Sequence, residues 1–223
     1  MENILLYLIA LIIPIIASIR VHCVTKKYKK HRNNRGLTGF DVAREMLDRN
    51  GLSNIYVVEQ PGDLTDHYDS SRKTIRLSTD VFHGDSITAL AVAAHECGHA
   101  IQDKEDYSWM RIRSAFFPIL NVGTKIAYVV LIISIFLSSW GMLYASIGMV
   151  GLSLIFEIIT LPVEFDASKR AKAYLSENGL IDTVEEEDVK KVLDAAAWTY
   201  VAAVISSLLE MIRLLLILND RRD

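Results

Sequence analysis

Long apolar stretches alternate with short amphipathic ones along this chain. Ile4 to Ile19 is an almost unbroken apolar run of about 16 residues, which Met1 and a snorkelling Arg20 extend toward the length of a membrane span. Phe116 to Leu137 and Met142 to Val163 each cover about 22 residues, about 33 Å as helix, which is enough to cross a hydrocarbon core. Only Ser138-Ser139-Trp140-Gly141 joins them, so the pair predicts a tight helical hairpin with an interfacial tryptophan at its tip. A further apolar stretch runs from Ala195 to Leu218.

The segments between these stretches carry shorter periods. Thr38 to Asn50 predicts a capped amphipathic helix with apolar Phe40, Val42, Ala43, Met46 and Leu47, stopped by Gly51. Asn54 to Glu59 predicts a strand, Pro61-Gly62-Asp63 a turn, and Asp66 to Ser78 a hairpin turning at Ser70-Ser71. The second arm, Lys73 to Ser78, alternates; it is expected either to brace the next helix or to receive an extended peptide by edge pairing. Ser86 to Ala94 holds mostly strong helix formers, with Asp85 or Ser86 available as N-cap. Beyond the hairpin, Glu164 to Ser176 reads as a helix ending near Gly179, with Pro162 favouring a fresh helical start just before it. Thr183 with Glu186 reads as a capping box for the helix after that.

Composition agrees with a membrane chain that carries soluble segments: 51% of the residues are hydrophobic and 23% are charged. Arg20, Lys26, Lys27, Lys29, Lys30, Arg32 and Arg35 follow the first apolar run. A secretory signal would carry its charges ahead of the run and end in a small-x-small site, so a retained span is expected, with Met1 outside and the basic stretch cytoplasmic. Arg111 and Arg113 before the hairpin, and Lys169, Arg170 and Lys172 after it, put both its flanks on that same side. The net charge of −3 and the adjacent span favour the lipid bilayer over nucleic acid as the partner of the basic run.

The last stretch has two readings. As a further span it would leave Arg221 and Arg222 outside, against the usual bias; otherwise it is a helix packed on the cytoplasmic domain, and in either case Glu210 and Arg213 are spaced to pair. Lys125 and Glu157 lie at comparable depth in the hairpin, as a structural ion pair or as part of a water-lined route toward a metal site near Glu164, two turns past Glu157 on nearly the same helix face. Cys23 and Cys97 make no disulfide framework, and packing roles are expected for both.

Chemistry concentrates at His95-Glu96-Cys97-Gly98-His99. Two imidazoles four residues apart share one face of a helix, so both rings can reach one metal ion with Glu96 beside its water, the zincin arrangement. Cys97, Gly98, Ala100 and Ile101 are uncharged and mostly small, which suits a buried helix better than a solvated one. His67 and His83 are expected as surface histidines. A hydrolytic zinc takes three protein ligands and an open position, so one ligand is missing from the motif. Because two crossings return the chain to the side it left, residues just after Val163 can meet the helix that carries His95.

With these motifs the chain resembles the neutral zinc metallopeptidases of bacterial membranes, the YugP-like family. The likeness covers nearly the whole chain: an N-terminal span, H-E-C-G-H-A-I-Q at 95 to 102, the hairpin, and P-V-E-F-D-A-S at 162 to 168. More distantly it is similar to the HtpX and CAAX-prenyl endopeptidase group, in which H-E-x-x-H is followed by a third-ligand glutamate in an E-x-x-x-D pattern. The resemblance implies zinc ligands His95, His99 and Glu164, with Glu96 as general base. Where the distant group has an Asp that bonds a ligand histidine, this chain has Ser168, and Asp166 sits only two residues past Glu164, on another face. Ser168 and Asp166 are therefore the candidates for orienting a histidine, and Arg170, Tyr174 and His83 are the candidates for stabilising an oxyanion.

The expectation is a multi-pass α-helical membrane protein with a small α+β zincin-like cytoplasmic domain. Its parts are an N-terminal transmembrane helix (1–19), a cytoplasmic segment with the motif helix (20–115), a transmembrane hairpin (116–163), a cytoplasmic third-ligand segment (164–194) and the C-terminal apolar helix (195–223). The expected activity is zinc-dependent hydrolysis of membrane or juxtamembrane proteins at the cytoplasmic face of the cell membrane. The alternative is a non-proteolytic membrane adaptor with a structural zinc. Glu96 argues for hydrolysis, because a structural site has no use for that base.

Overall fold

The computed structural model describes residues 2–118, 120 and 140–220. It is mostly helical, with one small sheet. Helix α1 spans Glu2–Tyr28, α2 Gly39–Arg49, α3 Thr79–Phe82 and α4 Ile87–Lys104; α5 is described over 108–118, and α6 (Trp140–Glu177) and α7 (Thr183–Asp220) are long. The expected span 116–137, apart from its first few residues, lies outside the described residues, and so does Lys125.

Among the described residues, three helices are long and apolar enough to cross a membrane: α1, α6 and α7. Small residues such as Ala10, Ala17 and Ala202 are buried, but many of the larger apolar side chains are not. Ile4, Leu8, Leu11, Ile15 and Ile19 on α1 are exposed, and so are Ile205, Leu208, Ile212 and Leu215 on α7. Nearer its start α7 is packed, with Val189, Val192, Leu193, Ala195 and Ala197 buried, so the helix combines a docked first part with an apolar face left open beyond it. Helix α7 runs antiparallel to both neighbours. The Ser206 hydroxyl donates to the Ala10 carbonyl at 2.5 Å, and that of Ser207 to Glu157 at 3.0 Å, while Lys172 pairs with Glu186 at the other end at 3.3 Å. Arg213 bonds Glu210 at the expected spacing and lies over the Tyr7 ring.

Two local expectations shift. Pro162 lies inside α6, which runs through it without a fresh start. The lost N–H costs one helical bond, and the flanking turns continue because Val163, Ala167 and Ala171 are fully buried. The cap of α7 sits one residue earlier than read: the Asp182 carboxylate accepts from Val184 and Glu185 N–H, and Glu185 reaches back to the Asp182 N–H. A charged acceptor at 182 takes precedence over the hydroxyl at 183.

The sheet orders β1 (Tyr56–Gln60), β3 (Thr74–Ser78) and β2 (His67–Asp69), with β1 parallel and β2 antiparallel to β3. Strand β3 is thus central, paired on both edges and buried at Thr74, Ile75, Leu77 and Ser78. It braces the fold and has no edge to offer a peptide, which removes the edge-pairing role. The Asp66 carboxylate closes the base of the hairpin by accepting from the Ser78 N–H at 2.7 Å and hydroxyl at 3.0 Å.

Helix α4 runs through the core. Ser86 caps it by accepting from the Ala89 N–H at 3.1 Å. Leu90, Ala93, Ala94 and Cys97 are fully buried, and Cys97 lies against the Ala43 carbonyl of α2 at 3.6 Å, a packing role. The basic stretch after α1 folds back onto this helix: Lys29 pairs with Asp80 and Arg32 with Asp85, and the Asn33 amide donates to the Asp85 carbonyl at 2.6 Å.

Candidate metal centre

Three elements build the site. Helix α4 carries His95, Glu96 and His99 on one face, α6 brings Glu164 across from it, and α7 closes the side with Tyr200. The contact between α4 and α6 is intimate because Gly98 has no side chain. A Cβ there would stand 2.7 Å from the Ala167 carbonyl oxygen and 3.1 Å from its Cα, both unyielding backbone. That approach sets Glu164, one turn before Ala167, over the two histidines.

The ligand atoms of His95, His99 and Glu164 all lie within 4.8 Å of one another. One carboxylate oxygen of Glu164 faces both rings, at 3.3 Å from His95 Nε2 and 3.6 Å from His99 Nε2. The rings meet edge to face with centroids 4.8 Å apart. Glu164, His99 and Glu96 are all buried, and His95, Glu96 and Glu164 line a cavity of about 150 Å³. Burial opposes charging His99, but the hydrogen bond and charge of Glu164 more than offset it and hold the imidazole above its ordinary pKa.

Both imidazoles are gripped from behind. Ser168 Oγ lies 3.2 Å from His95 Nδ1, one helical turn past Glu164 and on its face, so the serine occupies the position that the missing aspartate left open. His99 Nδ1 lies 3.0 Å from Gln102 Oε1. The Gln102 amide in turn donates to the Val163 carbonyl and to Asp166, each at 2.8 Å, and Arg170 holds Asp166 at 2.6 Å. Asp166 therefore faces away from the cluster and acts on His99 through Gln102. With each Nδ1 engaged, the two Nε2 atoms converge on Glu164, and two imidazoles with one carboxylate in a buried pocket are a donor set that fits zinc.

The three oxyanion candidates lie elsewhere. Arg170 spans Asp166 and Glu105, His83 bonds Glu59 on the surface at 3.2 Å, and the Tyr174 hydroxyl is buried with no hydrogen-bond partner among the described residues. His67 is likewise a surface residue, against Gln60 and Thr65. Three residues near the centre carried no local signal. Tyr200 sits in an apolar run, Gln102 reads as one more polar helix residue, and Arg113, 3.6 Å from the second oxygen of Glu164, reads as a topology charge. Glu157 bonds Ser207.

The chain matches the model of the family described as "Putative neutral zinc metallopeptidase" over residues 3–219. It is 43% identical over 214 residues to the "Putative membrane protease YugP" of Bacillus subtilis (strain 168), covering 93% of this chain and 92% of that protein. No solved structure matches it. A family match over almost the full length, carried by a relative of this identity, means that the chain belongs to that neutral zinc metallopeptidase family.

Proposed function

We propose that this protein is a multi-pass membrane zinc endopeptidase whose site lies at the cytoplasmic surface of the bilayer and cleaves membrane proteins or their juxtamembrane segments. The observation that carries this reading is the convergence of His95, His99 and Glu164 at a cavity lined by His95, Glu164 and Glu96. His95, His99 and Glu164 would hold the zinc, with the two Nε2 atoms already turned toward the carboxylate. Zinc, when bound, acidifies water to a pKa of about 7 and polarises a carbonyl. Glu96 takes the proton of the attacking water and later delivers it to the leaving amine. To the phenol of Tyr200 we assign the hydrogen bond to the substrate carbonyl oxygen as it gains charge. Ser168 and Gln102 hold the rings in the tautomer that leaves Nε2 free.

The side of the membrane follows from charge. Val21 and Thr25, near the end of α1, line the cavity, and the basic stretch from Lys26 to Arg35 continues from that end. The positive-inside tendency makes that end cytoplasmic, next to anionic lipid. The test is zinc content together with casein cleavage by detergent-purified protein and its Glu96→Gln variant. Cleavage by the parent chain and none by the variant, each with about one zinc per chain, is the expected result. Activity retained without the base would sink the mechanism, and a chain that holds zinc but cleaves nothing would leave the adaptor reading.

A further inference from the structure

The cavity that holds His95 and Glu96 does not end at the metal centre. A second cavity of about 230 Å³ adjoins it, and Thr25, Leu64, Asp66 and Val92 line both. Its floor prolongs the metal-facing side of α4, because Ala89, Val92 and Glu96 follow one another at spacings of three and four, the row of one helix face. One wall is the last turns of α1 and the other is the loop 61–66. Over the junction hangs Leu64, an apolar side chain 57% exposed on a backbone at φ 54°, where non-glycine residues are uncommon. A strained backbone holding a bulky apolar residue outside the core is the kind of feature that clusters at ligand clamps.

We infer that this second cavity is a side-chain subsite: the substrate lies extended along α4 from Glu96 toward Ser86 and places one large apolar side chain between Leu64 and Val92. This rests on the hydrolytic reading above. The volume fits, since an engineered cavity of about 150 Å³ takes benzene and this one is larger, leaving room for an aromatic or long aliphatic side chain and part of its backbone. The rim also fits a peptide. Lys29, just past the end of α1, pairs with Asp63 and Asp80 across the mouth, so the entrance is charged and suits a polar backbone, whereas a lipid acyl chain would meet charge before any apolar wall. Because the wall is the end of α1, the segment that reaches this cavity is one leaving the bilayer beside that helix.

The test is cleavage profiling by mass spectrometry, with the full-length zinc-loaded protein in detergent and a library of unstructured peptides. The wild type is expected to require Phe, Leu or Met at one fixed position relative to the cut. In Val92→Phe, which narrows the junction, and in Leu64→Ala, which removes an exposed wall and overpacks nothing, the kcat/KM ratio for Phe over Gly at that position should fall about tenfold or more. A merely structural role would lower both substrates alike and leave the ratio unmoved. Cleavage with no side-chain preference at any position, or an unchanged ratio in both variants, overturns the subsite while hydrolysis stands. Variants that strip bound phospholipid and leave the profile intact would make the occupant an acyl chain and overturn it too. A zinc-loaded wild type that cleaves no peptide refutes the hydrolytic reading itself.

Discussion

Replacing Gln102 by Leu tests the hydrogen-bond chain behind His99. Gln102 is fully buried; its carbonyl oxygen sits 3.0 Å from His99 Nδ1, and its amide is anchored on the Val163 carbonyl and Asp166 at 2.8 Å each. Binding through Nε2 requires the proton on Nδ1, where Gln102 accepts it. Leu fills similar space and offers no acceptor. The metal-free protein can then move that proton to Nε2, beside Glu164, and zinc binding must return it to a buried nitrogen with no partner. An orphaned buried donor costs about 1–3 kcal/mol, which at 1.4 kcal/mol per decade is about a 5- to 150-fold loss of zinc affinity. Competition against a chelating chromophore measures that loss, and thermal unfolding of the metal-free protein measures structural damage separately. Gln102→Glu keeps the acceptor but turns a carboxylate toward Asp166, so it should lose more stability and less affinity than the leucine variant. Wild-type affinity in Gln102→Leu, or weaker binding by Gln102→Glu than by Gln102→Leu, would refute the role.

Other substitutions follow from the same geometry. Glu164→Ala should lose most bound zinc, whereas Asp166→Asn should keep it with a loss of at most about 10- to 100-fold, read by zinc content after dialysis; the reverse pattern would move the third ligand to Asp166. Gly98→Ala puts a methyl 2.7 Å from the Ala167 carbonyl, so it should cost about 1–3 kcal/mol of stability and weaken zinc binding as α6 is displaced; wild-type unfolding and affinity would contradict the packing argument. In a Cys23→Ser background, cysteines at positions 30, 105 and 172 should resist an impermeant thiol reagent in intact cells while one at 140 reacts. Labelling at 105 without labelling at 172 would separate the two halves of the site.

What the sequence made legible was what repeats at short range. The capped helix over 39–49, the Ser86 cap, the paired histidines at i and i+4 and the apolar stretches on α1, α6 and α7 each follow from a period or a cap readable within a few residues. What it hid depends on how α6 docks. Pro162 favours a helix start on local grounds, yet burial of Val163 and Ala167 against α4 carries the helix through it. Strand β3 alternates like an edge strand, and only its pairing with β1 as well as β2 makes it central. The same docking decides the two candidates beside Glu164. Ser168 is four residues on and returns to the metal face, where it meets His95; Asp166 is about 200° around the helix and cannot reach either imidazole. Asp166 still contributes, because Gln102 stands three residues past His99 on α4 and spans the gap between ring and carboxylate. Nothing in H-x-x-Q distinguishes that glutamine from a solvated one. Its place in the site is a property of the helix pair, set by the glycine that lets the two backbones meet.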